Sequence, residues 1–295
     1  MKTSLVVGMG IGNLYATVLA NLGHTVITVD QDPNKKADFE TVDSAIVAHQ
    51  MFDTVHICTP NFTHFQIASK VAPYTKIVFV EKPGVADKEA WQSLVEAFKY
   101  TRFMMVKNNQ WRSNFSDIKT MADRAKTVNL KWVNKDRVPN PGSWFTNKKL
   151  AFGGVSRDLM PHLLSWMTKL DSNYKTATRL LQTHHQRWQL EDLLTTDYGT
   201  VNPNGTYDVD DFYYLEYTSN NKRWLLTADW RSIGLEQIHI QFIYPDDTYD
   251  IVELGLCPED AYQSMIQDAI NNINNHDFWL DQLEQDLWIH DNIKL

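Results

Sequence analysis

Cysteine is nearly absent. Cys58 and Cys257 are the two in 295 residues, too few for a disulfide framework and in no cluster with metal-ligand spacing. That usage fits a reducing compartment, and the cytoplasm is the expected location. Basic charge is also scarce, with 28 Lys and Arg against 36 Asp and Glu, a formal net charge of -8. No block of Lys or Arg can track a phosphate backbone, which argues against nucleic acid as a partner. Apolar runs are short. None approaches the ~18 residues of a membrane span, so no membrane partner is expected. The apolar start Leu5-Val6-Val7-Gly8-Met9-Gly10-Ile11 breaks at Asn13 without a clean small-residue cleavage site, and reads as a buried strand rather than a signal peptide. No internal repeat is visible, and the asparagine-rich Asn271–Asn275 reads as a helix end.

What is present is a 43% hydrophobic chain long enough for roughly two domains. From Ser4 to Val106, short apolar runs (Leu5–Val7, Val26–Val29, Val55–Ile57, Ile77–Val80, Phe103–Val106) alternate with helical-period segments. That alternation predicts a parallel sheet with right-handed crossovers. Aromatic and β-branched runs then follow at Val209–Thr218, Lys222–Trp230, Gln237–Tyr244 and Thr248–Leu254, joined by turns such as Asn220-Asn221. They predict antiparallel neighbours in one sheet. Ile238, Ile240, Phe242 and Tyr244 alternate with polar residues as a half-buried strand does, whereas Phe212–Tyr217 is apolar on both faces. A helix near Asp158 is the expected cover on one side, and a second subunit on the other. Helical period returns after Cys257. The expected division is therefore 1–112, 113–256 and 257–295. The fold class is α/β, a Rossmann domain followed by an α+β domain with a large, mostly antiparallel open sheet.

Gly8-Met9-Gly10-Ile11-Gly12-Asn13 lies between the first strand and first helix, where glycines let backbone amides approach a pyrophosphate at a helix N-terminus. Gly12 comes one place early and Asn13 takes the third glycine's position, which predicts looser helix–strand packing or an altered turn. Asp30 ends the second strand, where a carboxylate meets the adenosine ribose hydroxyls and repels a 2′-phosphate, favouring NAD over NADP. A turn with Asp32 and Pro33 is the plainer alternative. Thr59-Pro60-Asn61 with His64, and Glu81-Lys82-Pro83, each follow a sheet strand at its carboxyl end, where open α/β sheets bind ligands. Read alone, they are a helix cap and a surface ion pair.

Gly153-Gly154 precedes Asp158 and His162, whose spacing of four puts both on one face of a helix. Leu159, Leu163, Leu164 and Trp166 surround them, so a core histidine is the competing reading. Pro161 removes a backbone donor there, which a helix starting close to Arg157 tolerates.

Taken in order, these four motifs resemble the glucose-fructose oxidoreductase / inositol dehydrogenase / rhizopine catabolism (Gfo/Idh/MocA) family, over nearly the whole chain. The resemblance implies hydride transfer between a nicotinamide and a sugar-, cyclitol- or polyol-like hydroxyl or ketone. It implies Lys82, Asp158 and His162 as a catalytic triad divided between two domains. His162 is expected as general acid/base and Lys82 as donor to the substrate oxygen, roles the two residues can exchange. Gly8, Gly10, Gly12, Asn13, Asp30, Thr59, Pro60, Asn61, His64, Glu81 and Asn109 are the implied cofactor contacts. Trp144, Lys149 and Arg157 are candidates for the substrate, against readings as core or solvated charge, and Trp111 is a further aromatic near the expected site. His184-His185 has no carboxylate or cysteine at ligand spacing, so no metal is expected. A small-molecule substrate and a homodimer or homotetramer through the second sheet complete the expectation. The rival readings are a dinucleotide-binding regulator without turnover, and a reductase of a larger conjugated ligand.

Overall fold

The computed structural model describes residues 2–135, 137–193, 199–232, 234 and 236–294. The backbone divides into two units, one running to Trp111 and resuming over Pro258–Asp291, the other comprising Arg112–Cys257 and the residues from Asn292.

The first unit is built on β1 (Thr3–Val7), β2 (Thr25–Val29), β3 (Phe52–Ile57), β4 (Thr75–Val80) and β5 (Arg102–Met105), all parallel in the order β2-β1-β3-β4-β5. Leu5, Val6, Val55, Val78 and Phe79 are all but inaccessible, as strands covered on both faces require. Helices α1 (Gly12–Asn21), α2 (Val42–His49), α3 (His64–Val71) and α4 (Lys88–Ala97) make the crossovers. Thr41 and Asp87 cap two of them, accepting from the amides of Ser44 and Ala90. Strand order reverses between β1 and β3, and the loops after these strands flank the crevice that such a switch point opens.

After the second unit the chain adds α9 (Glu259–Asn271) and α10 (His276–Asn292). Tyr262 of α9 meets Tyr15 of α1 edge to face, centroids 5.3 Å apart. From α10, Asp286 accepts from the Met105 amide at 3.1 Å and pairs with Lys107, both side chains fully buried. Burial raises the Asp286 carboxyl to about 6 against the opposing pull of Lys107.

The second unit contains β6 (Thr127–Lys135), β7 (Thr178–His185), β8 (Phe212–Ser219), β9 (Lys222–Ser232), β10 (Gln237–Ile243) and β11 (Tyr249–Glu253), with α5 (Phe115–Arg124), α6 (Lys148–Ala151), α7 (Val155–Asp158) and α8 (Met160–Leu170). The strand order is β11-β10-β6-β9-β8-β7. The two hairpins are as expected. Asn220 and Asn221 both adopt positive φ, the two-residue turn whose twist matches its strands. The expectation that the four C-terminal runs are successive neighbours is wrong at one place, because β6 enters between β9 and β10, parallel to the former and antiparallel to the latter. The reason is side-chain periodicity. Val128, Leu130 and Trp132 fill the row between Trp224, Leu226 and Ala228 on one side and Ile238, Ile240 and Phe242 on the other.

That row, continued by Tyr213, Leu215 and Tyr217, is the buried face, and α8 packs on it. Trp224 donates its indole N–H to Asp171 just past α8, and Trp166 stacks on Phe115 of α5. The other face carries half-buried Phe212 and Tyr214 and exposed Leu181, Tyr249 and Ile251.

Candidate active site

Each glycine of the first loop has a separate task. Gly8 has φ +91° and its amide donates to Val29, while a Cβ there would stand 2.8 Å from both the Cys58 carbonyl oxygen and Thr59 Cγ2. Gly10 faces open space, since an added Cβ would meet nothing within 4 Å. Gly12 opens α1 with its Cα against β1, a Cβ falling 2.9 Å from Val6 Cγ1. The close helix–strand contact therefore exists, supplied by Gly12, and the expected looseness does not arise. Asn13 instead folds back, donating to the Met9 carbonyl at 2.6 Å. Asp30 reaches the same loop. It accepts from the Met9 amide at 2.6 Å and from the Asp32 amide at 2.9 Å, so its carboxylate stands at the glycine turn as well as forming the Asp32 turn.

After β3, Thr59 is half-buried and Asn61 buried, with Pro60 opening a short 3-10 turn. His64 differs from expectation. It is fully buried with Nδ1 2.6 Å from the Gly84 carbonyl and Nε2 2.7 Å from the Thr59 carbonyl, so it ties two loops together and has no free ring nitrogen for a dinucleotide. Burial lowers its pKa, the two carbonyls oppose that, and the Lys82 charge adds to it. After β4, Glu81 accepts from the Tyr15 hydroxyl at 2.5 Å and from the Lys82 amide at 3.2 Å. Burial first, and Glu81 second, push the Tyr15 hydroxyl and the Cys58 thiol well above their usual ranges. Lys82 is half-buried and joined to Pro83 by a cis bond. Asn109 lies fully buried in the turn Asn108–Trp111, whose end is fixed by the Trp111 indole donating to Asp268 at 2.9 Å.

In the second unit the decapeptide Gly153–His162 is knotted to Asp210. That carboxylate accepts from the Gly154 and Ser156 amides at 2.8 Å and the Ser156 hydroxyl at 2.9 Å, while its own carbonyl accepts from Val155. A Cβ on Gly154 would stand 1.9 Å from the Asp210 carbonyl oxygen, which is why glycine is needed there. Asp210 escaped the sequence reading; its signal is an acidic pair, Asp210-Asp211, opening an apolar strand. The helix starts at Val155, close to Arg157 as Pro161 demands, and resumes as α8 after Leu159. The His162 amide donates to Leu159 at 3.1 Å in a tightened turn.

Both candidate catalytic groups are held against the buried face of the sheet. The Trp230 indole donates to Asp158 Oδ2 at 2.8 Å, and His162 stacks on Trp132 with centroids 5.0 Å apart. From Gly153 to Thr168 every residue is buried except these two, which stay partly accessible.

The substrate candidates separate. Trp144 stacks on Phe145 at 4.0 Å and is half-buried, and Lys149 is exposed on α6. Arg157 is buried, which excludes the solvated-charge reading. His184 and His185 are exposed on β7, and the described residues contain no group of three or more His, Cys, Asp or Glu able to hold a metal. No helix among them is long and apolar enough to cross a membrane.

A parallel sheet with a glycine turn at its switch point, and a mixed-sheet unit after it, define a Rossmann-type nucleotide-binding protein with an appended α+β unit. Residues 4–108 match the family described as oxidoreductase family, NAD-binding Rossmann fold, so the N-terminal domain is that of the Gfo/Idh/MocA oxidoreductases. A putative UDP-kanosamine synthase oxidoreductase subunit from Amycolatopsis mediterranei is 27% identical over 145 residues, 45% of this chain and 40% of that protein. The match thus spans less than half of the curated relative. GenD2 from gentamicin A biosynthesis, in complex with NAD, superposes with a TM-score of 0.73 at 19% identity, covering 99% of this chain and 92% of that one. Levoglucosan dehydrogenase with NADH and levoglucosan gives 0.73 at 16%, over 99% and 97%. A myo-inositol dehydrogenase from Corynebacterium glutamicum gives 0.71 at 13%, over 98% and 94%. At these identities the likeness is one of fold.

Proposed function

We propose that this protein is an NAD-dependent dehydrogenase or reductase acting on a hydroxyl or ketone of a sugar-, cyclitol- or polyol-like molecule. The observation that carries the reading is the selective accessibility of Asp158 and His162 in an otherwise buried helical stretch. A core role would bury the imidazole; a general acid/base needs access to substrate. The dinucleotide fits the first unit. Gly10 leaves open the space a Cβ would take, Gly8 admits close backbone approach, and Thr59, Pro60, Asn61 and Glu81 border the same switch point. Asp30, a carboxylate at that turn, favours NAD over NADP because it repels a 2′-phosphate. When bound, the nicotinamide accepts or supplies the hydride.

In this reading His162 holds or takes the hydroxyl proton, its ring oriented by stacking on Trp132. Asp158, fixed by Trp230, binds a substrate hydroxyl or orients His162, and Lys82 donates to the oxygen that gains negative charge. Asn109, buried at the end of β5, supports the nicotinamide side. Trp144 and Lys149 are left as the substrate-facing candidates. The apolar half of the second sheet's open face is proposed to cover itself with a second copy, as a homodimer or homotetramer. The two free cysteines suit the cytoplasm. His162→Ala tests the assignment. Turnover falls by about two to four orders of magnitude with NAD affinity unchanged; full activity in that variant refutes it.

A further inference from the structure

The loop that carries Lys82 is gripped from two sides. On one side His64 Nδ1 lies 2.6 Å from the Gly84 carbonyl. On the other side stands α10. Its His290, 2% exposed, faces the Asp286 carbonyl with Nδ1 at 2.7 Å, a contact that places the ring proton there. Nε2 is then an acceptor, and the Val85 amide points at it from 3.4 Å. The same ring lies flat on Trp91 and so close to Gly84 that a Cβ there would stand 2.9 Å from Cε1 and Nε2. Gly84 has φ +78° and closes the turn that starts at Glu81. One turn earlier Asp286 pairs with Lys107 and accepts from Met105, and one residue later Asp291 pairs with Lys88 beyond the loop. Asp286, His290 and Asp291 thus form one stripe of α10 along the end of β5 and the Lys82–Val85 segment.

We propose that His290 is a positioning residue for Lys82, fixing from α10 the loop on which that lysine is carried. The inference rests on the role given to Lys82 above. A hydrogen bond of this kind is worth about 0.5–1.5 kcal/mol, so its loss changes a loop's opening by up to about tenfold.

The test uses the full chain and hydrogen exchange, which needs no substrate. His290→Phe keeps a ring on Trp91 and against Gly84 but cannot accept from Val85. Exchange in a peptide spanning 81–88 should rise about tenfold while peptides of β1 and α3 keep the parent's rate. In parallel kcat falls about tenfold, with KM for NAD within about twofold. His290→Gln, whose Oε1 can accept the Val85 amide, should retain the parent's exchange and kcat within about threefold; it also serves if the Phe variant fails to fold. Unchanged exchange at 81–88 in His290→Phe overturns the proposal, as does a kcat equal to the parent's when Lys82→Met has abolished turnover. Failure of the functional reading looks different, since Lys82→Met would then keep its activity whatever His290→Phe does to exchange.

Discussion

Removing one partner of the Lys107–Asp286 pair isolates a charge with almost no solvent to receive it. In Lys107→Met the Asp286 carboxylate keeps the Met105 amide at 3.1 Å but loses its cation while fully buried. Breaking a buried pair in this way costs about 3–5 kcal/mol, a third or more of a typical stability of about 5–15 kcal/mol. Because the isolated carboxyl can escape by taking a proton, the loss should shrink as pH falls. The compensating double variant follows from the hydrogen bonds. Asp286→Asn retains an oxygen for Met105, whereas leucine would orphan that amide at a cost of about 1–3 kcal/mol. Lys107→Met/Asp286→Asn should therefore lie within about 1–2 kcal/mol of the parent, the two charges having been removed together. Urea denaturation of the four proteins at pH 7, followed by tryptophan fluorescence and circular dichroism, gives the cycle. A Lys107→Met loss below about 1 kcal/mol, or a double variant no better than the worse single one, refutes the argument.

Two further perturbations follow from the first unit. Gly8→Ala combines a φ of +91° with a Cβ 2.8 Å from Cys58 and Thr59, about 1–2 kcal/mol for conformation and 1–3 for overpacking; a falling urea midpoint with weakened NAD binding by titration is expected, and an unchanged midpoint refutes it. His56 is fully buried, stacked on Phe79, and burial lowers its pKa from 6.5 to about 3. The unfolded chain takes the proton first, so this group's contribution is complete above 6.5 and is lost as pH falls toward 3, at about 1.4 kcal/mol per pH unit. His56→Phe should flatten the acid limb of stability between those values, and equal slopes for variant and parent would contradict the reasoning.

Much of this architecture was legible because it is written locally. Apolar runs at strand length gave the parallel sheet, and Asn220-Asn221 named its own hairpin, since asparagine tolerates the positive φ that turn requires. The place of β6 was not, because pairing between β9 and β10 depends on side-chain rows across the sheet and not on order along the chain. Gly12 misled for a related reason, as its packing partner Val6 lies across a turn that a spacing rule presumes fixed. Lys107 reads as a solvated lysine until its partner is known, and Asp286 stands 179 residues later. Arg157 and His64 carry polar groups that suggest ligands, yet burial and backbone carbonyls decide where those groups point. Asp158 and His162 were visible as a pair at helical spacing, but Trp132, Trp230 and Asp210, which hold them, were not.

The central claim is catalysis of hydride exchange, and nicotinamide absorbance measures it directly. The full-length protein, with NAD or NADH, is to be followed over a panel of sugars, cyclitols, polyols and their ketones. The account predicts a substrate-dependent change with at least one of them, faster with NAD than with NADP. Tight NAD binding with no absorbance change across the whole panel would contradict it, and would describe a dinucleotide-binding regulator instead.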